Sequence, residues 1–242
     1  AAGVMNKWVE SHTNGNINDL IEPPIDPRSV MILINAVHFK APWTKAFDPK
    51  DTRDGVFTTA GGTEAPVKYL HRKEGNLGYA DDDVIAARIP YASGRLEMVA
   101  ILPQRQPLAD YIQSLTPEKL EGFIGKCGET PMALLFPKFK LEYKAELSSQ
   151  LRAMGMEGAF SDEADFTAMS QPLGSELFIS KVNHKSFMEV NEEGTEASAA
   201  TSVEIRASGM PMALHFNRPF LYLIRDSKTG TILFMGAMEN PS

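Results

Sequence analysis

The side chains that most often carry out chemistry are present in this sequence, but none of them stands in a catalytic or metal-binding pattern. The motifs G-x-S-x-G, H-E-x-x-H, G-x-x-x-x-G-K-[ST] and G-x-G-x-x-G are absent. The consecutive carboxylates of Asp81, Asp82 and Asp83 are typical of a solvated acidic turn. We expect no catalytic residue, no metal and no cofactor, although the two carboxylates of a hydrolase need not be close in sequence. The histidines lack metal-ligand spacing: His12, His38, His71, His184 and His215.

Composition and charge argue against several classes of partner. The chain has 242 residues, of which 43% are hydrophobic, enough for the core of one large domain or two small ones. The net charge is −7 and no stripe of lysine and arginine stands out, which argues against nucleic acid or an anionic membrane as the main partner. No apolar run approaches the roughly 18 residues that span a bilayer. Cys127 is the only cysteine, so an internal disulfide is excluded.

Two segments predict long strands. Residues 30–39 are apolar almost throughout, which is typical of a strand buried on both faces. Residues 177–190 form the second predicted strand. Asn35 lies inside the first strand, where a buried amide would need a hydrogen-bond partner.

Shorter patterns predict hairpins and helices. Hairpins are expected from residues 84–91 with 95–102 and from residues 220–225 with 231–238. Strands and helices are mixed without a regular βαβ rhythm, which favours an α+β fold. The predicted helices are an amphipathic N-terminal one with Val4 and Trp8 on its apolar face, 108–115, 117–126 capped by Thr116, and 146–154.

The segment from residue 190 to residue 211 combines the pattern of a strand with the composition of a loop. Its side chains alternate between a polar set and a small, mostly apolar set that begins at Thr195 and ends at Ile205. No proline lies between Val190 and Met210, so every backbone N–H could pair in a central strand. Gly194 and the alanine- and serine-rich run 197–200 fit a flexible linker equally well. The segment is therefore either a linker beside an edge strand or a loop that becomes an inserted strand.

Five motifs resemble those of the serpins, the loop-inserting serine protease inhibitors. The motifs keep the family's order and spacing across nearly the whole chain. The resemblance implies an α+β fold of mixed β-sheets with surrounding short helices and an exposed reactive loop. The motifs are Ile-Asn-Ala-Val-His-Phe-Lys (34–40) followed by Trp43, Val-Asn-His-Lys (182–185), Glu-Glu-Gly-Thr-Glu-Ala-Ser-Ala-Ala-Thr (192–201), Phe-Asn-Arg-Pro-Phe (216–220) and Leu-Phe-Met-Gly (233–236).

The resemblance also implies a function. A serine protease would cleave the reactive loop, and the freed hinge would insert as a strand between residues 31–39 and 177–190. Family spacing places the cleaved bond at Ser208–Gly209, where the small serine favours an elastase-like or chymotrypsin-like protease; Arg206 would suit a trypsin-like one. The implied hinge consists of Glu192, Glu193, Gly194, Thr195, Glu196, Ala197, Ser198, Ala199, Ala200 and Thr201.

Structural latches are implied as well. His184 is expected to be a core histidine that bonds Asn35 and so joins the two predicted strands. Trp43 belongs to the first strand motif. Lys138 is expected to form an ion pair with Glu192, and the alternative is two independent surface charges.

The same comparison implies one domain over residues 1–242 that lacks the family's N-terminal helices and first strands. The missing portion of the domain is then an expected partner, and an extracellular or periplasmic location follows from the resemblance alone. Two other functions are left open. One is a non-inhibitory serpin-fold protein that binds a ligand or acts as a chaperone, which the small hinge residues disfavour. The other is an unrelated β-rich interaction module, which the order of the motifs disfavours.

Overall fold

The computed structural model describes residues 1–169, 176–195 and 213–241. No helix in these ranges combines the length and the apolar character needed to cross a membrane. The helices are α1 (Ala2–His12), α2 (Leu108–Ser114), α3 (Pro117–Lys126) and α4 (Ser148–Leu151), with short 3₁₀ or π segments at Pro49–Asp51, Arg152–Met156 and Glu157–Phe160. The strands are β1 (Met31–His38), β2 (Ala41–Pro42), β3 (Arg53–Thr58), β4 (Glu64–Arg72), β5 (Asn76–Ala80), β6 (Val84–Pro90), β7 (Leu96–Pro103), β8 (Gly128–Thr130), β9 (Leu134–Pro137), β10 (Phe139–Glu146), β11 (Ile179–Val190), β12 (Gly194–Thr195), β13 (Leu214–His215), β14 (Phe220–Asp226) and β15 (Ile232–Met238).

The fold class is α+β, as the sequence predicts. Strands and helices are mixed along the chain, and the sheets combine parallel with antiparallel pairs. The chain divides into two compact units: residues 1–39 with 141–188, and residues 40–140 with 189–242.

The first unit is built on a sheet with the strand order β1-β11-β10. β1 and β11 run parallel and pair directly from Met31 opposite Ile179 to His38 opposite Phe187. On one face α1 packs through Ala2 and Val9 into a cluster that includes residues of both strands. The two long strands predicted from the sequence are therefore neighbours.

Two predictions about this unit are wrong. Val4 and Trp8 are exposed by 75% and 55%, because the face of α1 that meets the sheet is the one carrying Ala2 and Val9. β1 is not buried on both faces either: Leu33 is 39% exposed, because the face of β1 that packs with α1 carries Ile32, Ile34 and Ala36, and Leu33 lies on the opposite face.

The helix expected over residues 146–154 is also shorter than predicted. β10 extends to Glu146, and the Glu146 carboxylate accepts a 2.9 Å hydrogen bond from the Ser148 N–H, where α4 begins. α4 ends at Leu151 and is followed by a π segment in which Gly155 has φ of 99°. The predicted stop at Gly155 is present, but the regular helix before it is a single turn.

The described residues of the second unit form three sheets. The strand order is β15-β14-β7-β6-β5-β8 in the largest, β13-β9-β4-β3 in the next, and β12-β2 in the smallest. Both predicted hairpins are present, as β6–β7 and β14–β15. α3 begins as expected, since the Thr116 hydroxyl accepts a 3.3 Å hydrogen bond from the Lys119 N–H. This unit holds the start of the hinge.

Candidate functional site

A tight turn fixes the point at which β11 ends and the hinge begins. The Asn191 side-chain oxygen accepts hydrogen bonds of 3.2 Å from the N–H groups of Glu193 and Gly194. The Asn191 N–H donates in turn to the Gly194 carbonyl at 2.9 Å. Asn191 is only 2% exposed, so this turn is held inside the protein rather than at its surface.

Gly194 is required by a close backbone approach. It pairs antiparallel with Pro42, and Thr195 pairs with Ala41. A Cβ atom at residue 194 would lie 2.2 Å from the Ala41 carbonyl oxygen and 2.5 Å from the Pro42 Cα. Any other residue would push the hinge away from β2.

The Glu192 carboxylate is buried among three hydrogen bonds. Lys138 Nζ donates to its two oxygens at 2.7 and 2.9 Å, and the Thr52 hydroxyl donates at 2.8 Å. Burial alone would raise the pKa of Glu192, but the bonds from Lys138 and Thr52 outweigh it and lower the pKa. The ionised Glu192, the first residue of the hinge, is therefore bonded to Thr52, which precedes β3, and to Lys138, which precedes β10.

Trp43 holds the backbone on either side of Glu192. Its indole N–H donates to the Asn191 carbonyl and its backbone N–H donates to the Glu193 carbonyl, both at 2.9 Å. The indole is 3% exposed and stacks on Tyr91 with 4.5 Å between ring centroids. This rigid aromatic pair fixes the path of the backbone from Asn191 to Glu193.

Phe47 and Arg72 complete the group of residues that holds the start of the hinge around Glu192, which we call the hinge anchor. The Phe47 N–H donates to the Glu192 carbonyl at 2.8 Å. The Arg72 guanidinium lies 4.1 Å from the centroid of the Phe47 ring and donates to the Lys45 carbonyl. Burial lowers the pKa of Arg72 to about 10. Arg72 thus supports the hinge indirectly, by packing on the residue that binds its backbone.

The expected bond between Asn35 and His184 is not formed. The two residues are opposite each other in the β1–β11 register. Asn35 is exposed, however, and the buried Nδ1 of His184 has no hydrogen-bond partner among the described residues, while burial lowers the pKa of the ring. Asn35 is exposed because it lies on the face of β1 opposite Ile32, Ile34 and Ala36, so it does not need the partner that a buried amide would.

A family model described as Serpin (serine protease inhibitor) matches residues 1–241. The chain belongs to the serpin family. Serpin-ZXA of Oryza sativa subsp. japonica is 39% identical to it over 99% of the chain and 63% of the relative.

Solved serpin structures resemble this one over its whole length. The thermophilic serpin tengpin, in its native state, aligns with a TM-score of 0.84 at 36% identity, covering 99% of this serpin and 62% of tengpin. Thyroxine-binding globulin, in complex with thyroxine, aligns with a TM-score of 0.86 at 27% identity, covering 100% and 65%. The chain spans less than two thirds of the length of each relative.

Most of the functional residues implied by the serpin motifs lie outside the described residues. These are the hinge beyond Thr195, from residue 196 to residue 201, together with Arg206 and the bond Ser208–Gly209. Among the described residues, no group of three or more histidine, cysteine or acidic side chains could hold a metal ion.

Several residues of this serpin's hinge anchor were missed by sequence reasoning. Asn191 could have been found, because an asparagine before Glu-Glu-Gly is a common turn former. Thr52, Tyr91 and Arg72 carried no signal, because their contacts join segments far apart in the sequence. The structure therefore enlarges the anchor from the predicted Trp43 and Lys138 to a connected group around Glu192.

Proposed function

We propose that this serpin inhibits a serine protease by strand insertion. The protease serine attacks the carbonyl carbon of Ser208, an ester forms, and the amine of Gly209 leaves. The hinge, freed at its far end but still held at Glu192, then inserts between β1 and β11. The protease is trapped if insertion outpaces hydrolysis of the ester, which typical enzymes complete at about 1–10³ s⁻¹.

The observation that carries this proposal is the direct pairing of β1 with β11. The pair extends from Met31 to His38 of β1 with one register shift between Met31 and Ile32, so no other strand lies between the two. That arrangement is the one from which insertion would start. β11 also continues in sequence directly into Asn191 and the hinge, so the inserted segment needs no long connection.

The composition of the hinge supports insertion. Ala197 and Ala199 belong to the set that would face inward, and such small side chains can enter a sheet without displacing their neighbours. About ten inserted residues would gain hydrogen bonds worth about 0.5–1.5 kcal/mol each. Ordering the backbone costs about 1–2 kcal/mol per residue, so the remainder would come from strain in the uncleaved fold.

The target protease is proposed from the residue before the cleaved bond. Ser208 is small and suits the shallow specificity pocket of an elastase-like or chymotrypsin-like enzyme, whereas Arg206 would direct a trypsin-like enzyme to a neighbouring bond. An extracellular or periplasmic location is proposed with it on the family resemblance alone.

Incubation with a panel of serine proteases tests the proposal. The serpin is mixed with elastase-, chymotrypsin- and trypsin-like enzymes, boiled in detergent and separated by size. We expect a covalent complex with at least one of them. Cleavage of the loop by every enzyme without such a complex would contradict inhibition.

The second candidate function is ligand transport without inhibition. The likeness to thyroxine-binding globulin, which was solved with thyroxine bound, favours it. The same experiment separates the two candidates, because a carrier would be cut as an ordinary substrate.

A further inference from the structure

A pocket of about 560 Å³ lies in the second unit, and none of its lining residues belongs to the hinge anchor. Its walls come from the ends of several elements: Thr58 ends β3, Leu108 begins α2, Arg218 precedes β14 and Glu239 follows β15. Backbone bonds hold these ends together. The Thr58 N–H donates to the Asn217 carbonyl at 2.9 Å, and the Ala60 N–H donates to the Glu239 carbonyl at 3.3 Å. The pocket is therefore preformed, and its volume lies in the range of small-molecule sites.

The lining combines an apolar surface with a few polar groups. Pro107, Leu108, Ala109 and Pro219 supply the apolar part, and Leu108 is itself buried. Threonine hydroxyls and glutamine amides supply neutral donors and acceptors: Thr58, Thr59, Gln104 and Gln106. Such a lining suits an apolar molecule with one polar end.

Arg218 carries an uncompensated positive charge at this pocket. Its guanidinium is partly buried and donates to the Pro103 carbonyl. Within the described parts of the chain no carboxylate lies within ion-pair distance of it, and burial lowers its pKa. Arg218 retains further N–H donors in a planar fork that matches a carboxylate. An anion bound here would offset the cost of burying the cation.

The other charges of the lining limit the ligand to a single negative charge. Arg105 is already neutralised, since it pairs with Asp82 and Asp83 at 3.0 Å. Glu239 is exposed and would repel a second anionic group. The charge pattern therefore favours a monoanion over a dianion.

We propose that this pocket binds a small monocarboxylate with an apolar body. The carboxylate pairs with Arg218, and the body lies against Leu108 and the neighbouring prolines. The site is independent of protease inhibition, because none of its residues belongs to the hinge or to the group that anchors it.

Calorimetry tests the proposal. It measures the binding of 2-naphthoate, 2-naphthamide and 2,6-naphthalenedicarboxylate to the folded, full-length protein. We expect naphthoate to bind at least tenfold more tightly than the uncharged amide or the dianion. No binding of naphthoate up to about 1 mM, or equal affinity for acid and amide, would overturn it.

The two arginines of the pocket provide a matched pair of variants. Arg218→Gln should weaken naphthoate binding at least tenfold, whereas Arg105→Gln should leave it within about twofold. Because Arg218→Gln could disturb the fold through the lost bond to Pro103, Glu239→Gln provides an independent measurement. It should bring the affinity for the dicarboxylate close to that for naphthoate. Equal effects of the two arginine variants, or no gain with Glu239→Gln, would overturn the assignment.

Discussion

Replacing Lys138 by methionine would remove the cation beside the Glu192 carboxylate and keep most of the apolar stem of the side chain. The side chain of Glu192 is 6% exposed and that of Lys138 is 28% exposed, with 2.7 Å between Nζ and Oε2. Removing one partner of a fully buried pair costs about 3–5 kcal/mol, whereas exposed pairs contribute about 0–1 kcal/mol. Because this pair is buried on one side only, we expect Lys138→Met to lower the free energy of unfolding by about 2 kcal/mol.

The effect should depend on pH. The folded state lowers the pKa of Glu192, so the pair stabilises the fold fully above the unfolded pKa of about 4.3 and loses this contribution as the pH falls through the folded value. The difference between Lys138→Met and the parent should therefore shrink in acid, where Glu192 is protonated in both.

Urea unfolding of both proteins at about pH 7 and about pH 3.5 measures the difference. Lys68→Met is the matched control, because Lys68 and Asp54 form a 3.2 Å pair with side chains 52% and 74% exposed. We expect the control to change the free energy of unfolding by no more than about 0.5 kcal/mol. A cost for Lys138→Met no larger than the control, or one that does not change with pH, would refute the reasoning.

Three further outcomes are expected. If the proposed inhibition holds, Ala197→Arg places a charge on the inward set and should make the protein a substrate of the protease, whereas Glu196→Arg on the outward set should keep most of the detergent-stable complex. Equal ratios of complex to cleaved product would exclude insertion in this register. Gly194→Ala should lower the midpoint of thermal unfolding, since its Cβ would meet the Ala41 carbonyl; an unchanged midpoint would show that β2 can move aside. Mass spectrometry of the released peptide should show cleavage at Ser208–Gly209, and a peptide beginning at residue 207 would exclude that bond.

The elements that depend on local chemistry were predictable. The β6–β7 and β14–β15 hairpins were predicted with small errors at their ends, because alternation and turn residues are encoded within a few positions. α3 was predicted together with its cap for the same reason, since the Thr116 hydroxyl and the Lys119 N–H are three residues apart.

The features that depend on distant neighbours were not predictable in the same way. An apolar run such as β1 shows that a strand can be buried, but not which of its two faces is covered, so the burial of Asn35 was wrongly expected. The apolar face of α1 was misassigned because Val4 and Ala2 are equally apolar, and only the sheet decides which side is covered. Thr52 and Arg72 reach the hinge anchor from distant segments, and a single sequence contains no information on such pairs.

The stacking of Trp43 on Tyr91 gives this chain an intrinsic optical reporter. The sequence has two tryptophans, and they lie in opposite environments: Trp8 is 55% exposed, whereas Trp43 is 3% exposed. Indole emission shifts to shorter wavelength in apolar surroundings, so the blue part of the emission would come from the buried Trp43 and the red part from the solvated Trp8. Because the Trp43 N–H groups bond the carbonyls of Asn191 and Glu193, displacement of the backbone at the start of the hinge would change that blue component in real time, without any attached label.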